Sequence, residues 1–241
     1  MRVAINGFGR IGRSVFRILN SNENVDVVAI NDIADNEAMA YLLKYDTVMG
    51  PFKDAVEING DILTTSHNKV KMLADREPIK LPWKDLNIDV VIESTGIFRT
   101  KEQLKDHLSA GAKKVILTVQ SKDEIDYTLV IGVNDKGLND NHKIISNASC
   151  TTNCLAPMEK ILNDSFGIEY GVINTIHAYT NDQRLADVPH SDWRRSRAAA
   201  ENIIPTTTGA ARAVGKVLTE LNGKLDGIAM RVPVPDGSVV D

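Results

Sequence analysis

The stretch Val3-Ala4-Ile5-Asn6-Gly7-Phe8-Gly9-Arg10-Ile11-Gly12 decides the fold, because an apolar strand runs directly into three closely spaced glycines. The helical spacing that follows predicts a helix whose buried face carries Ile11, Val15, Ile18 and Leu19. A second strand, at residues 25–31, ends next to Asp32, which lies 20 residues after Gly12 (32 − 12). The complete fingerprint of a dinucleotide-binding fold is a strand, a glycine-rich turn, a helix, a second strand and an acidic residue, and all five occur here in this order.

Each residue of this fingerprint has a physical role. Gly7 allows a tight turn, Gly9 lets the backbone approach a pyrophosphate, and Gly12 lets the helix pack closely on the strand. The helix N-terminus attracts the pyrophosphate. Asp32 accepts hydrogen bonds from ribose hydroxyls and repels a 2′-phosphate, so the sequence predicts NAD rather than NADP. The alternative, a glycine-rich turn followed by a surface aspartate, explains less of the pattern.

Strands and helices alternate as far as residue 146. Asn59-Gly60 is a hairpin signal, and apolar runs predict strands at residues 88–92, 115–119, 128–133 and 143–146. Small polar residues, Glu93-Ser94-Thr95-Gly96, follow one of these strands, at the end where ligands bind in open α/β sheets. This alternation predicts an α/β fold with a Rossmann-type, doubly wound parallel sheet.

The pattern changes after residue 149. The segments that follow are a strand at residues 170–179, a polar irregular segment at 180–204, a helix opened by Thr206-Thr207-Thr208-Gly209, and a strand at 225–234. This mixture predicts a partial α+β catalytic domain with a mixed or antiparallel sheet. We therefore expect a cofactor domain at residues 1–149 and a catalytic domain at residues 150–241.

Cys150 lies at a predicted helix N-terminus, which Ser149 or a neighbour would cap. The helix dipole and the free N–H groups at this end favour a thiolate, whereas a free thiol has a pKa of about 8.5. The apolar face of this helix is predicted to consist of Leu155, Met158, Ile161 and Leu162. A lone cysteine is more often inert packing, and packing is the role that we expect for Cys154, one turn further on.

A catalytic thiol needs a base, and the chain has five histidines. His177 is the candidate because it follows the apolar strand run Val172-Ile173-Asn174-Thr175-Ile176. It is either a hydrogen-bonded core histidine or the partner in a Cys–His couple, and spacing does not choose between them. Cys-x₃-Cys with a distant histidine lacks a credible fourth ligand, so no metal site is predicted.

Two features suggest a phosphate site in the second half of the chain. Thr208-Gly209 at a helix start offers a hydroxyl and backbone N–H groups to an anion. Arg195 and Arg231 have the fork geometry that binds phosphate oxygens bidentately. The alternative for the arginine cluster at residues 194–197 is a solvated face or a subunit contact, and the residues alone favour neither.

Composition narrows the function classes. The chain has 241 residues, 43% of them hydrophobic, and a net charge of −4 (28 − 32). A weakly acidic protein is a poor general binder of nucleic acid, so no dedicated nucleic-acid site is expected. Two cysteines so close together form no disulfide framework and favour a reducing compartment. No apolar run reaches the roughly eighteen residues of a membrane span, so none is expected.

Taken together, these residues resemble the NAD-dependent, phosphorylating glyceraldehyde-3-phosphate dehydrogenase family. The stretches that carry the resemblance are residues 5–12, Leu43-Lys44-Tyr45-Asp46, Glu93-Ser94-Thr95-Gly96, residues 146–154, Tyr179-Thr180-Asn181-Asp182-Gln183 and residues 197–209. They run across the whole chain, and the second is not shared by dehydrogenases in general. The resemblance implies a glycolytic oxidoreductase that converts glyceraldehyde 3-phosphate to 1,3-bisphosphoglycerate with NAD and inorganic phosphate.

The resemblance also implies residue roles. Cys150 is then the nucleophile that forms a thiohemiacetal and a thioester, and His177 is its base and a donor to the oxyanion. The residues expected at the substrate phosphate are Thr180 and Arg231, and those expected at the inorganic phosphate are Ser149, Thr151, Thr208 and Gly209, with Arg195 between the two. The expected NAD contacts are Gly7, Phe8, Gly9, Arg10, Ile11, Gly12, Asp32, Arg76, Ser94, Thr95, Gly96 and Thr118.

The family is a cytoplasmic homotetramer, and its arginine-rich loop, here residues 180–204, packs at a subunit interface. Two alternatives stay open: an erythrose-4-phosphate dehydrogenase, which keeps the cysteine and the histidine, and a non-catalytic dinucleotide- or RNA-binding module. The sequence departs from the family where Gln120 replaces a usual proline. It also stops at Asp241, before the further strands and the final helix of the family, so we expect an essentially inactive fragment.

Overall fold

The computed structural model describes all 241 residues, Met1–Asp241, which form two compact units. The first unit contains Met1–Thr128 and Leu138–Asn147, and the second contains Leu129–Gly137 and Ala148–Asp241. Neither unit has a helix that is both long enough and apolar enough to cross a membrane.

The first unit is built from nine strands and three α-helices. The strands are β1 (Arg2–Asn6), β2 (Asp26–Asn31), β3 (Glu57–Asn59), β4 (Ile62–Thr64), β5 (Lys69–Leu73), β6 (Val90–Glu93), β7 (Lys114–Leu117), β8 (Tyr127–Thr128) and β9 (Ile144–Ser146). The helices are α1 (Arg10–Leu19), α2 (Asn36–Lys44) and α3 (Lys101–Ser109). All nine strands form one sheet in the order β3-β4-β5-β2-β1-β6-β7-β9-β8.

β1 lies in the middle of this sheet and pairs in parallel with β2 and with β6. Parallel pairing continues on both sides, and only the edge formed by β3, β4 and β5 is antiparallel. A parallel sheet is covered on both faces, which explains why neighbouring Ala4 and Ile5 are both fully buried. The predicted doubly wound α/β sheet is therefore confirmed, and so is the hairpin at Asn59-Gly60.

The buried face of α1 agrees only in part with the predicted one, since Val15 and Leu19 pack against the core but the two isoleucines do not. Ile11 and Ile18 are 52% and 73% exposed, whereas Gly12 and Phe16 are buried. Phe16 packs edge-on against Phe8, with ring centroids 5.8 Å apart. Burying a phenylalanine ring removes a large apolar surface from water, so Phe16 and the close approach of Gly12 set the rotation of the helix.

The second unit contains two α-helices and four strands. They are α4 (Cys150–Phe166), β10 (Gly171–Ala178), β11 (Ile204–Thr207), α5 (Ala210–Val214), β12 (Leu225–Val232) and β13 (Val239–Val240). The sheet order is β11-β12-β10-β13, with β10 and β12 parallel and both outer pairs antiparallel. This is the predicted mixed sheet. Leu155 of α4, Ile173 of β10 and Val214 of α5 belong to one buried apolar cluster.

The apolar face predicted for α4 is mostly wrong. Of its four residues only Leu155 is buried, and the exposed ones are Met158, Ile161 and Leu162. The residues that α4 does bury are Thr151, Thr152, Leu155, Ala156 and Glu159. Cys154 is exposed too, contrary to the packing role expected for it, because it lies one turn after Cys150 on the same exposed side of the helix.

Two shorter elements also differ from their predictions. The strand predicted at residues 128–133 ends with β8, because the side chains of Asn134 and Asp135 accept backbone N–H groups of that segment in a turn. The helix expected from Thr206 begins only at Ala210, since Thr206 is paired within the sheet as part of β11.

Candidate active site

Cys150 is the first residue of α4, and the turn before it determines how the thiol is presented. Ala148 has a φ of 56°, which is strained for a residue with a Cβ, and Ser149 is extended. The Ser149 hydroxyl accepts the Thr152 N–H at 3.0 Å and so caps the helix. The thiol is thus held at the positive end of a helix of 17 residues.

The Cys150 Sγ atom lies 3.2 Å from Nε2 of His177, near the end of β10. This contact lowers the pKa of the Cys150 thiol to about 7, against the opposing effect of burial. The same contact raises the pKa of His177, which burial and the charge of Arg231 oppose. The structure therefore brings together the cysteine and the histidine whose relationship residue spacing left undecided.

Arg231 lies beside this couple because it is the register partner of His177 in the β10–β12 pair. Its Nη1 lies 2.6 Å from His177 Nδ1, and it donates to the Ala178 carbonyl oxygen at 3.0 Å. The buried Arg231 Nε–H has no hydrogen-bond partner. Burial and the nearby charge of Arg195 lower the pKa of this guanidinium. An anion is the ligand that suits two such neighbouring cations.

Arg195 itself is held by neighbours in the irregular segment. Its Nε–H donates to the Thr206 hydroxyl at 3.0 Å, and its Nη1 forms an ion pair with Asp182. The Thr206 hydroxyl donates in turn to Asp192 at 2.7 Å. The Arg195 side chain is thus fixed in place, with part of its donor fork already bound to a carboxylate.

The remaining residues predicted at the phosphates make local contacts. Thr208 accepts the Ala210 N–H at 3.2 Å, and Gly209 precedes α5. Because α5 has only five residues, the helix-start argument for an anion site is weaker than the sequence suggested. Thr180 donates its backbone N–H to a glutamine side chain at 3.2 Å. Thr151 is buried in the first turn of α4.

Two glycines of the fingerprint are required by the close approach of neighbouring backbone. Gly7 has a φ of 91°, and a Cβ there would lie 2.5 Å from the Thr95 backbone nitrogen. A Cβ on Gly12 would lie 2.1 Å from the Gly7 carbonyl oxygen, whereas the space beside Gly9 is open. The tight turn at Gly7 and the close packing at Gly12 thus have a direct steric cause, and Gly9 leaves room for a ligand.

Asp32 follows β2 immediately and faces the glycine turn. Its Oδ2 accepts the Phe8 N–H at 2.6 Å, and its Oδ1 accepts the Ala34 N–H at 3.0 Å. A pocket of about 470 Å³ opens here, and it is lined by Asn6, Gly7, Gly9, Asn31, Asp32, Ile33, Asp75, Arg76, Ser94, Thr95, Ile97 and Phe98. The acid, the open glycine backbone and the size of the pocket fit a dinucleotide.

Only some of the predicted cofactor residues line this pocket. Those that do are Gly7, Gly9, Asp32, Arg76, Ser94 and Thr95. Those outside the lining are Phe8, Arg10, Ile11, Gly12, Gly96 and Thr118. Arg10 instead forms an ion pair with Asp46 at 3.2 Å, and the Thr118 hydroxyl donates to the Glu93 carbonyl oxygen at 3.1 Å.

Sequence patterns missed several polar residues of the pocket wall. Asn6, Asn31 and Asp75 line the pocket and are joined by hydrogen bonds. Asn6 and Asn31 end the parallel neighbours β1 and β2, so the rule that ligands bind beyond the carboxyl ends of such strands was the signal for them. Nowhere in the molecule do three His, Cys, Asp or Glu side chains converge so that they could hold a metal ion.

Two family models match the chain. One, described as the NAD binding domain of glyceraldehyde 3-phosphate dehydrogenase, matches residues 1–101. The other, described as the C-terminal domain of the same enzyme, matches residues 149–241. The matched ranges include the glycine turn with Asp32 in the first model and the Cys150–His177 couple in the second.

Curated proteins point to the same family. The glyceraldehyde-3-phosphate dehydrogenase of Borreliella burgdorferi is 58% identical over 246 residues, which cover 100% of this chain and 73% of that protein. Proteins of the same name from Streptomyces coelicolor and Geobacillus stearothermophilus are 56% and 54% identical, over 100% of this chain and 72% of each protein. These matches make the protein an NAD-dependent oxidoreductase and do not favour the erythrose-4-phosphate or non-catalytic alternatives. The chain belongs to the glyceraldehyde-3-phosphate dehydrogenase family.

Proposed function

We propose that Cys150 is the nucleophile and His177 the base in the oxidative phosphorylation of glyceraldehyde 3-phosphate to 1,3-bisphosphoglycerate. The observation that carries the proposal is the 3.2 Å contact between Cys150 Sγ and His177 Nε2, together with a thiol pKa lowered to about 7. At such a pKa a large fraction of the sulfur is thiolate at neutral pH, and the thiolate is the nucleophilic form.

The first half of the reaction builds a covalent adduct on Cys150. The thiolate attacks the aldehyde carbon, so that a C–S bond forms and the carbonyl π electrons move to oxygen. His177 Nε2–H and the Cys150 backbone N–H are the donors for this oxyanion, and the His177 proton completes a thiohemiacetal. NAD, when bound, supplies the acceptor for the hydride that leaves this carbon. His177 Nε2 takes the hydroxyl proton, and a thioester remains on Cys150.

The second half of the reaction releases the acyl group to inorganic phosphate. A phosphate oxygen attacks the thioester carbonyl carbon, a C–O bond forms and the C–S bond breaks. Cys150 leaves as the thiolate that begins the next turnover. A thiol with a lowered pKa is the better leaving group, so the contact with His177 favours this step as well as the first.

The cationic wall beside the couple accounts for the two phosphate groups. We assign the substrate phosphate to Thr180 and Arg231, since Arg231 adjoins His177 and keeps an unpartnered Nε–H. The residues assigned to inorganic phosphate are Ser149, Thr151, Thr208 and Gly209, with Arg195 between the two groups. The closeness of Arg195 to Arg231 supports this assignment, because the Arg195 charge is near enough to lower the pKa of the Arg231 guanidinium.

The cofactor is assigned to the glycine turn and the strand ends around it. Residues 1–149 form the NAD-binding domain in this proposal, and residues 150–241 form the catalytic domain. The residues assigned to NAD are Gly7, Phe8, Gly9, Arg10, Ile11, Gly12, Asp32, Arg76, Ser94, Thr95, Gly96 and Thr118. The pocket beside Asp32 supports the assignment for those that line it.

The enzyme works as a homotetramer in the cytoplasm in this proposal. Leu185 and Trp193 of the irregular segment are 86% and 87% exposed, and large exposed apolar side chains suit a subunit interface. Cys150 and Cys154 are both free thiols, which suits a reducing compartment.

Reduction of NAD by the complete enzyme tests the function. We expect steady turnover with glyceraldehyde 3-phosphate and inorganic phosphate, and a single burst of NADH, one per Cys150, when phosphate is left out. Cys150→Ser is the control and should give no burst. Unchanged steady turnover without phosphate, or faster turnover of erythrose 4-phosphate, would contradict the proposal.

A further inference from the structure

We propose that Glu93 is a positioning residue for NAD, because a buried chain of hydrogen bonds anchored at Trp83 uses the Glu93 carboxylate to hold the wall of the cofactor pocket. This chain, the Glu93 network, consists of Trp83, His107, Glu93, Thr95, Asn6, Asn31 and Asp75. The inference rests on the NAD pocket described above and adds a residue that does not itself line that pocket.

The inner end of the network fixes the tautomer of His107. Trp83, His107 and Glu93 are all 0% exposed. The Trp83 indole N–H donates to His107 Nδ1 at 3.0 Å, and an indole has no acceptor. Nδ1 of His107 therefore carries no proton, so the ring proton is on Nε2. That Nε2–H donates to Glu93 Oε2 at 3.0 Å.

The Glu93 carboxylate is surrounded by donors only. Besides His107, it accepts the Asn6 side-chain N–H at 2.6 Å, the Thr95 backbone N–H at 2.8 Å and the Thr95 hydroxyl. Both oxygens thus accept two hydrogen bonds each. An ionised carboxylate is an acceptor at every position, so it suits this cage, whereas an amide would turn an N–H group toward another donor.

The outer end of the network is the pocket wall. Asn6 accepts the Asn31 side-chain N–H at 2.7 Å, and the Asn31 oxygen accepts the Asp75 backbone N–H at 2.8 Å. Asn6, Asn31, Asp75 and Thr95 all line the pocket. The Thr95 backbone also packs on the Gly7 turn so closely that Gly7 has no room for a Cβ. A displaced Thr95 therefore disturbs the glycine turn that receives the pyrophosphate.

A purely structural role is the competing explanation, since satisfied buried networks also specify a fold. The two roles differ in what they predict for a folded variant. If the role of Glu93 is purely structural, replacing it lowers the free energy of unfolding but leaves the NAD affinity of the folded protein unchanged. A positioning role changes NAD affinity in a way that depends on the His107 tautomer.

Nitrogen NMR of the unmodified protein tests the tautomer without any substitution. The His107 ring is assigned by its absence in the spectrum of His107→Asn. We expect a protonated Nε2 and an unprotonated Nδ1 at neutral pH. A protonated Nδ1 would overturn the proposal, because Trp83 and Glu93 would then not be linked through this ring.

Isothermal titration with NAD tests the positioning role. Glu93→Gln places an amide N–H against His107 or Asn6, and the loss of one buried hydrogen bond should weaken NAD binding by about tenfold. Glu102→Gln is the matched control, because Glu102 is an exposed residue of α3. The Glu102→Gln variant should bind NAD with the same affinity as the parent. Parent-like NAD affinity in folded Glu93→Gln would overturn the proposal, whereas a parent protein that does not bind NAD would refute the cofactor pocket itself.

A double variant supplies the sharpest comparison. Trp83→Phe removes the indole donor, so His107 is free to protonate Nδ1 and to accept the new amide N–H at Nε2, although the Asn6 N–H still faces that amide. The pair Glu93→Gln and Trp83→Phe should therefore lose less NAD affinity than the sum of the two single losses, without returning to the parent value. Additive losses of affinity would overturn the proposal. If Glu93→Gln does not fold, the double variant carries the test, because it should fold and bind NAD, and a failure to fold would count against the proposal.

Discussion

Arg231 Nη1 lies 2.6 Å from His177 Nδ1, on the ring nitrogen opposite the one that contacts Cys150. A guanidinium is always a donor, so this contact is favourable only while Nδ1 carries no proton. The Ala178 carbonyl oxygen lies 2.7 Å from the same nitrogen, and that contact is favourable only when Nδ1 is protonated. The protonation of His177 therefore decides which of these two neighbours it binds.

Arg231→Gln should raise the pKa of His177, because the Arg231 charge lowers it in the parent. The imidazolium then persists to higher pH, which an NMR titration of the His177 ring measures. The kcat/KM for glyceraldehyde 3-phosphate should fall in the same variant. Arg231→Lys keeps a cation and is the control. An unchanged or lowered pKa of His177 in Arg231→Gln would contradict this account.

His177→Asn should raise the pKa of the Cys150 thiol from about 7 toward that of a free thiol, since the contact with His177 is the main cause of the lowered value. With a free-thiol pKa of about 8.5, the thiolate fraction at neutral pH falls from about half to about one part in thirty, so iodoacetamide should react roughly fifteen-fold more slowly. A rate-versus-pH curve identical to that of the parent would contradict the coupling of the two side chains.

Cys150→Ser should abolish turnover, because an alkoxide is far harder to form than a thiolate. Cys154→Ser should keep most of the activity, although Cys154 is exposed on the same side of α4 only one turn away. The comparison is well matched, since both substitutions replace one sulfur by oxygen on one helix. Equal losses in the NAD reduction assay would show that the nucleophile has been assigned to the wrong thiol or to neither.

Asp32→Asn should improve the binding of NADP relative to NAD. The Asp32 carboxylate accepts the Phe8 and Ala34 N–H groups, and asparagine keeps one acceptor for them while removing the charge that repels a 2′-phosphate. Asp32→Ala is the harsher companion, because it also leaves the Phe8 N–H without its partner. Titration with both cofactors measures the ratio of the dissociation constants. An unchanged ratio in both variants would mean that Asp32 does not face the ribose.

Glu159 should make the protein less stable as pH rises. It is 5% exposed with one unpartnered oxygen, and burial raises its pKa from 4.5 to about 7. The folded protein thus holds a proton that the unfolded chain releases, so this contribution is complete below pH 4.5 and is lost as pH rises through 7. The free energy of unfolding falls by about 3 kcal/mol in total, because each unit of difference between the folded and unfolded pKa of Glu159 is worth about 1.4 kcal/mol.

Glu159→Gln should remove this dependence. Urea unfolding is measured at pH values below and above the range in which Glu159 titrates. As the pH rises, the free energy of unfolding of the variant should increase relative to that of the parent by roughly the same 3 kcal/mol. Glu220→Gln, on the exposed surface nearby, is the control. A constant difference in the free energy of unfolding between variant and parent at all pH values would refute the titration of Glu159.

Local sequence patterns were sufficient to place the glycine turn beside Asp32, but not to identify the whole pocket wall. The glycine turn and Asp32 are close together in the chain, and their roles follow from backbone sterics that any sheet of this type imposes. Asn6 and Asn31 escaped notice because an asparagine at a strand end has many ordinary uses. Only the strand order, with β1 beside β2, brings the two to one edge.

The active site depended more on tertiary structure. Spacing could not show whether His177 meets Cys150, because that distance depends on how α4 packs on β10. The rotation of α4 was mispredicted for a related reason. The apolar stripe of Met158 and Ile161 competes with a stripe that starts at Thr151, and only the packing partners of the second unit select between them.

The distances along the chain between the site residues have a kinetic consequence. Cys150 and His177 are 27 residues apart, and His177 and Arg231 are 54 residues apart and meet only through parallel pairing of β10 with β12. Bringing residues so far apart in the chain together costs conformational entropy before any contact between them forms. Parallel pairing of β10 with β12 is therefore expected late in folding. Until His177 reaches Cys150, the sulfur has the pKa of an ordinary thiol and is mostly protonated at neutral pH. A chain still in synthesis or refolding therefore reacts more slowly with electrophiles than the folded protein does.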